Sequence, residues 1–458
     1  MTTRADSARF WRSSLIVCAV LALLAVGLGA AGVVRRPDLA SASIAVDRAV
    51  GSAGERLVLK SRLPLAPLDA GQVTVTPAVP FTVQTRDSTV TVRFTWPLAY
   101  DTEYRVAVAG VRSQYTNTVS DWNHVFRTPP ATLYTLIAHR GDGALDDTVV
   151  SEAHGERRTL LTAPGIEDYV LTREQVVAIS HPDTESSALV AVSRSDGSRV
   201  EVAAPAVSLL TGLEAAPDGS KFGFLVTGED GQRNYSSNLF IADAGNPAAP
   251  PVEVSAGGAA LSVQDWRFVP GANAVVVATP QEQAFLIYLD GGTPPVPLGS
   301  LAQLIGFLPG SSLLMAEGSG KQLMLDLATG LSSEVESTRD PDKKTFAGRR
   351  SFLAVGDYLV EYNTFRGGQG QGGVSTQLTH RTRTGSTELL TIKDGDGHLL
   401  NSGISPNGQF AWAVVLDSKA PLTDLYSGAS DHATTMIFDL ATGKKVGSAP
   451  GSSPVWTS

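Results

Sequence analysis

The residues whose types could do chemistry fall into a few short stretches. Asp394-Gly395-Asp396-Gly397 sets two carboxylates on one turn, an oxygen-rich arrangement of the kind calcium takes. The EF-hand pattern needs a third acidic or amide ligand and a distal Glu as well, so a tight hairpin turn is the favoured reading. Arg140-Gly141-Asp142 spells an adhesion tripeptide, but Gly-Asp-Gly is ordinary turn chemistry. His124, His139, His154, His181, His380, His398 and His432 are dispersed, with no H-E-x-x-H and no i, i+4 pair. They read as solvated or satisfied loop histidines. Arg366-Gly367-Gly368-Gln369-Gly370-Gln371-Gly372-Gly373 is too rich in glycine for a strand and lacks the Gly-Lys-Ser/Thr of a phosphate loop. Loops on rigid scaffolds carry binding function, so Tyr362, Phe365 and Arg366 are the candidate contact surface. No G-x-S-x-G elbow occurs, and no catalytic residue, cofactor site or metal site is assigned; the expectation is a chain that is not an enzyme.

The elements that must position these residues are bounded by composition. A chain of 458 residues has room for two or three domains. Apolar residues at 43% and charged residues at 18% are globular values, and 45 Gly with 26 Pro imply many turns and hence β structure. The net charge of −9 is diffuse, and no stretch interleaves basic with aromatic residues, which argues against nucleic acid as a partner. Cys18 is the sole cysteine, so nothing downstream forms an intrachain disulfide or a thiolate metal site.

Residues 15–34 run twenty positions without a charge, long enough as a helix to cross a bilayer core of about 30 Å. Arg4, Arg9 and Arg12 precede the run, Trp11 stands at the position of an interfacial anchor, and Arg35 and Arg36 follow. The expectation is a cytoplasmic tail at 1–14, a transmembrane signal anchor at 15–34 and a linker at 35–43. The chain would then be a single-pass protein of the cell membrane, with its C-terminal domains extracytoplasmic. Ala40-Ser41-Ala42 leaves a cleaved signal peptide as the alternative.

Leu57-Val58-Leu59, Val73-Thr74-Val75-Thr76, Thr89-Val90-Thr91-Val92-Arg93-Phe94 and Tyr104-Arg105-Val106-Ala107-Val108 alternate with period two, the pattern of half-buried strands. A β-sandwich over 44–128 follows. Val75-Thr76-Pro77-Ala78-Val79-Pro80, the corner Leu98-Ala99-Tyr100-Asp101-Thr102-Glu103-Tyr104-Arg105-Val106, the Gly110-Val111 step and Val125-Phe126-Arg127-Thr128 together resemble the bacterial Ig-like domain of S-layer and other surface proteins. That resemblance implies a spacer or adhesion unit without catalytic residues. Tyr115 and Trp122 read as core or packing aromatics.

Beyond residue 131 the sequence repeats. Ala215-Ala216-Pro217-Asp218-Gly219 before an apolar run, followed by Leu239-Phe240-Ile241-Ala242-Asp243, returns as Ile404-Ser405-Pro406-Asn407-Gly408 with Met436-Ile437-Phe438-Asp439. Weaker copies start at Pro270-Gly271 and Pro309-Gly310. Proline presets φ for the turn and Asp-Gly or Asn-Gly supplies its positive-φ position. Pro217 to Pro270 is 53 residues, Pro270 to Pro309 is 39 and Pro309 to Pro406 is 97, the last interval holding a disguised unit near 352–390. With two more units upstream, 131–458 reads as an all-β propeller of seven blades, with six or eight as alternatives. These turns and the hairpins behind them resemble those of TolB-like propellers, with their S-P-D-G turn and L-Y-x-x-D hairpin. Ser453-Pro454-Val455-Trp456 reads as a lone strand that closes the ring. The functional expectation is a non-enzymatic, membrane-anchored binding or scaffolding protein that takes protein or cell-wall glycan. Alternatives are a glycan-active enzyme using carboxylates in the propeller channel and an accessory factor for membrane assembly or secretion.

Overall fold

The computed structural model describes residues 36–456 together with Val17 and Ala19–Ala22, apart from 116–117, 140–146, 154–155, 183–185, 206–208, 230, 232, 336–344, 366–372, 421–429 and 431. The expected transmembrane helix at 15–34 is corrected, and with it the single-pass membrane location and the extracytoplasmic placement built on it. Among the described residues no helix is long and apolar enough to cross a membrane. Absence of charge alone does not make a span, which also needs about twenty consecutive helical residues.

Two compact units make up the chain, one of Met1–Ala45, Arg56–Phe94 and Glu103–Arg127 and the other of Val46–Glu55, Thr95–Thr102 and Thr128–Ser458. In the first, a four-stranded sheet runs in the order Leu39–Ser43, Arg56–Ser61, Thr89–Phe94, Phe81–Arg86. A three-stranded sheet joins Val73–Thr76, Glu103–Arg112 and Val119–Arg127. Period-two alternation buries Leu57, Leu59, Val90 and Val92 on one side and Val106 and Val108 on the other. Phe94 of the larger sheet meets Phe126 of the smaller with ring centroids 6.3 Å apart. Trp122 is buried and its indole N–H donates to the Pro37 carbonyl at 2.6 Å. Tyr115 corrects the reading that paired it with Trp122: its side chain is 77% exposed, because the turn at 113–115 carries it off the sheet.

Among the described residues the second unit holds seven four-stranded antiparallel sheets. Six are contiguous in sequence, over 166–200, 209–253, 265–300, 303–334, 345–392 and 397–450. The remaining sheet mixes both ends of the unit: Ser452–Trp456 pairs with Leu133–Ile137, which continues to Asp147–Ala153 and Glu156–Ala163. This is a β-propeller whose C-terminal strand completes blade one and removes the open edge. First strands touch in succession from Ile166–Leu171 through Leu209–Ala215 and Asp265–Phe268 to Gln303–Phe307. Burial peaks on second strands such as Gln175–Ser180 and Ala274–Ala278, where every residue is buried, and vanishes on the fourth strand Leu331–Glu334. The apolar core therefore lies between blades: Leu136 and Val149 pack with Ile166 and Val176, and Leu239 and Leu225 pack with Trp266 and Val275.

The repeated turn owes its shape to its residues. Gly219 sits at φ +65° and its N–H closes the turn on the Ala216 carbonyl at 2.7 Å, while Asp218 Oδ1 accepts from the Ser220 N–H at 3.0 Å. The later hairpins use the same chemistry, with Asp326 Oδ1 accepting from the Ala328 N–H at 2.9 Å and Asp439 Oδ1 from the Thr442 N–H at 2.8 Å.

Candidate functional site

Two places on the propeller bring polar side chains together, its first strands and the face that carries the repeated turns. In six of the seven blades the register between first and second strand shifts at a bulge, Asp265–Phe268 alone pairing without one. Bulges turn a side chain out of the pleat, and these leave Glu167, Gly212, Ile305, Arg349, Leu400 and Ser453 without a ladder partner on the second strand.

Carboxylates, two of them on first strands, staple several blades to the next. Glu214 Oε1 accepts from the Phe268 N–H at 2.9 Å, and Asp265 Oδ2 accepts from the Leu304 N–H at 2.8 Å. Arg267 stands between them, 3.5 Å from Glu214 and 2.8 Å from Asp265, and donates to the Leu304 carbonyl at 3.0 Å. Blade one reaches blade two through Asp147 Oδ2, which accepts from the Ile166 N–H at 2.8 Å. Blade six reaches blade seven through Glu361, which accepts from the Ser402 hydroxyl at 2.7 Å, and through Arg349, which donates to Asn401 Oδ1.

Burial pushes the Glu214 carboxyl up to about 7, against the opposing pull of Arg267 and the Phe268 N–H. Asp168, on the first strand of blade two, is likewise pushed to about 7 by burial, its bond from the Tyr169 N–H pulling the other way and Glu167 adding repulsion. Burial also raises Glu361. A carboxyl that titrates near neutrality suits proton transfer, but Glu214 already serves as an acceptor across a blade boundary, as does the raised Glu361. Among the described residues no group of three or more His, Cys, Asp or Glu is placed to hold a metal ion.

The residues singled out in the sequence are scattered by the fold. Tyr362 is 4% exposed, packs with Tyr358 and Val360, and accepts from Arg381 at 3.2 Å, so its ring lies inside blade six. Phe365 ends the same strand and meets Phe346 edge-on at 5.8 Å. Arg366 and the glycine-rich loop as far as Gly372 lie outside the described residues, as do Arg140-Gly141-Asp142 and His154. Asp394 and Asp396 occupy an exposed turn, closed by the Asp396 N–H on the Lys393 carbonyl at 3.0 Å. His380 pairs with Asp357 at 2.7 Å and His181 with Glu167 at 2.6 Å.

On the turn face, neighbouring blades leave grooves, two of which are bridged by side chains. Between blades two and three, Arg173 donates through Nε to the Asp218 carbonyl at 2.8 Å and through Nη2 to its carboxylate at 3.1 Å. At blades six and seven lies the segment 95–102. Its Trp96 indole donates to the Asn407 carbonyl at 3.2 Å and packs on the cluster of Leu353, Ala411 and Phe438. Asn407 Nδ2 donates to the Leu98 carbonyl at 3.0 Å, and Gln409 Oε1 accepts from the Tyr100 N–H at 2.7 Å. Leu98 is fully buried, and Tyr100 stacks on Trp456 and Phe410 with centroids 6.1 and 6.2 Å away. The groove between blades three and four holds a cavity of about 260 Å³ lined by Pro217, Asp218, Lys221, Gly271, Asn273 and Leu289, among others. None of these contacts was marked in the sequence, where Trp96 and Asn407 are 311 positions apart. The repeated Pro-Asn-Gly was the only signal, and it marked the turn without its occupant.

No family model matches the chain, and no curated protein matches it. Solved structures similar to it are β-propellers. The trilobed protease β-propeller domain from Pyrococcus furiosus is 8% identical and covers 77% of this chain and 95% of its own, with a TM-score of 0.43. TolB from Acinetobacter baumannii is 12% identical and covers 84% of this chain and 83% of its own, with a TM-score of 0.36. A Lactobacillus plantarum protein is 12% identical and covers 72% of this chain and 99% of its own, with a TM-score of 0.45.

Proposed function

We propose that this chain is a non-enzymatic scaffold whose β-propeller binds an extended segment of a protein partner across the turn face. The first unit, Ig-like in the resemblance of its strands, then acts as a spacer without chemistry of its own. One observation carries the reading: the ring already recognises an extended segment on this face, with Asn407 and Gln409 gripping the backbone of Leu98 and Tyr100 while Trp96 fills a groove. A rigid closed ring that presents turn residues to a peptide is a recurrent way to bind protein, although a fold alone does not fix function. The stapling of Glu214, Asp265 and Glu361 into blade contacts further supports a structural role for these carboxylates.

A second reading rests on Asp168 and Glu214, both pushed to about 7, which suits acid–base work on a glycan. The test is cross-linking of the full-length chain in its own cells followed by purification. Recovery of a defined protein cross-linked to the turn face is expected. No partner protein, together with glycan hydrolysis by the purified chain that Asp168→Asn abolishes, overturns the scaffold reading in favour of the enzyme.

A further inference from the structure

The grooves between the repeated turns are quasi-equivalent, which allows the one that holds Trp96 to be compared with an open one. Strand pairing fixes the alignment: Ala215 faces Phe222 in blade three, Phe268 faces Val275 in blade four and Ile404 faces Ala411 in blade seven. Counted from these pairs, Asp218, Gly271 and Asn407 share one turn position, and Ser220, Asn273 and Gln409 share another. At the first position the backbone carbonyl is the acceptor both in the bridged groove of blades two and three and in the filled groove of blades six and seven. Asp218 takes the Arg173 guanidinium N–H and Asn407 takes the Trp96 indole N–H. Each time a flat group aims one N–H at that carbonyl, and at Asn407 the indole also packs on an apolar wall.

In blade four the equivalent carbonyl belongs to Gly271, and the groove before it is the open cavity of about 260 Å³. That volume falls below the roughly 300–1,000 Å³ of sites that enclose a drug-sized ligand, so it suits one large side chain and not a cofactor. Its lining pairs apolar Phe268, Val269 and Leu289 with the exposed amide of Asn273. Asn273 occupies the position from which Gln409 accepts a peptide N–H in blade seven.

We infer that the groove between blades three and four is a docking site for a tryptophan carried on an extended segment of a partner protein, the indole N–H donating to the Gly271 carbonyl and Asn273 holding the backbone beyond it. The occupant is defined by the chain's own example at Trp96, whose ring sits against an apolar wall and whose flanking backbone is read by an amide side chain. This rests on the reading of the turn face as a protein-binding surface, and it adds the place and the residue recognised.

The test uses the full-length chain and a synthetic peptide copying 95–100, Thr-Trp-Pro-Leu-Ala-Tyr, beside the same peptide with alanine for tryptophan. Titration calorimetry is expected to give saturable binding that is about ten-fold weaker or more for the alanine peptide. Ala272→Trp, on the exposed rim of the groove, is expected to weaken binding by a similar factor, with an unchanged circular dichroism spectrum and melting midpoint. Asn273→Ala, which removes no core group, is expected to weaken it by a smaller factor. A photoreactive version of the peptide is expected to label 216–221 or 268–274. No saturable binding, binding indifferent to both substitutions, or labelling at 405–410 overturns the assignment. The wider reading stands or falls separately: a partner cross-linked elsewhere on the turn face removes this groove and keeps the scaffold, whereas absence of any protein partner removes both.

Discussion

Replacing Glu214 by Gln isolates the cost of holding a carboxyl between blades three and four. Burial carries this group from 4.5 to about 7, and at about 1.4 kcal/mol per pH decade the displacement is worth about 3 kcal/mol at most. The side chain keeps 27% exposure, which places the true figure at or below that bound. Because the folded value is raised, folding favours the protonated acid. That contribution is present in full below pH 4.5 and is lost as pH rises through about 7. Glutamine keeps an oxygen for the Phe268 N–H, now 2.9 Å from the carboxylate, and leaves Arg267 its bond to Asp265, but cannot ionise. Thermal midpoints of wild type and Glu214→Gln between pH 4.5 and 8.5 should therefore diverge, the variant gaining on wild type as pH rises and leading it above pH 7. Urea titrations at the two ends should put the change in their difference at up to about 3 kcal/mol. Parallel curves across that window would refute the argument that desolvation dominates at this site.

Other consequences are open to direct measurement. Asp265→Ala leaves the Leu304 N–H without its acceptor and Arg267 without its nearest anion, so a loss of about 2–4 kcal/mol is expected by urea titration. Gly223→Ala would place a Cβ 2.6 Å from Ile241 Cδ1, 2.7 Å from Trp266 and 2.9 Å from the Phe240 carbonyl, a clash expected to cost about 1–3 kcal/mol and to lower the melting midpoint. Trp456→Ala removes the ring that stacks on Phe410 and Tyr100 in the closing strand; a loss of about 3–5 kcal/mol is expected, with faster hydrogen exchange in Leu133–Ile137.

What the sequence made legible was local. Pro217-Asp218-Gly219 and Asn407-Gly408 declare their turns because proline, a short polar side chain and glycine each fix a backbone angle within four residues. Ser453-Pro454-Val455-Trp456 was legible as one more strand of the repeat pattern, and it pairs with Leu133–Ile137. The inter-blade staples were not legible: Glu214, Asp265 and Glu361 are single carboxylates in apolar runs, and their partners come from the next repeat at no fixed motif spacing. Trp96 was hidden for a different reason. Its strand-like surroundings suggested the first module, whereas the packing of 95–102 against the Asn407 turn places it in the propeller unit. Tyr362 misled in the opposite sense, since its position beside a glycine-rich loop suggested exposure while the period of its strand points it inward. The charge-free run at 15–34 invited a span on hydropathy alone.

The central claim, that the turn face of the propeller binds protein, is most directly tested through Lys221, whose side chain lines the open groove. Amine-reactive cross-linking of the full-length chain in its own cells, read by mass spectrometry, should join Lys221 to one defined partner protein, and the link should disappear in Ala272→Trp. A Lys221 that cross-links to no protein, with partner peptides recovered only on faces away from the repeated turns, would contradict the account.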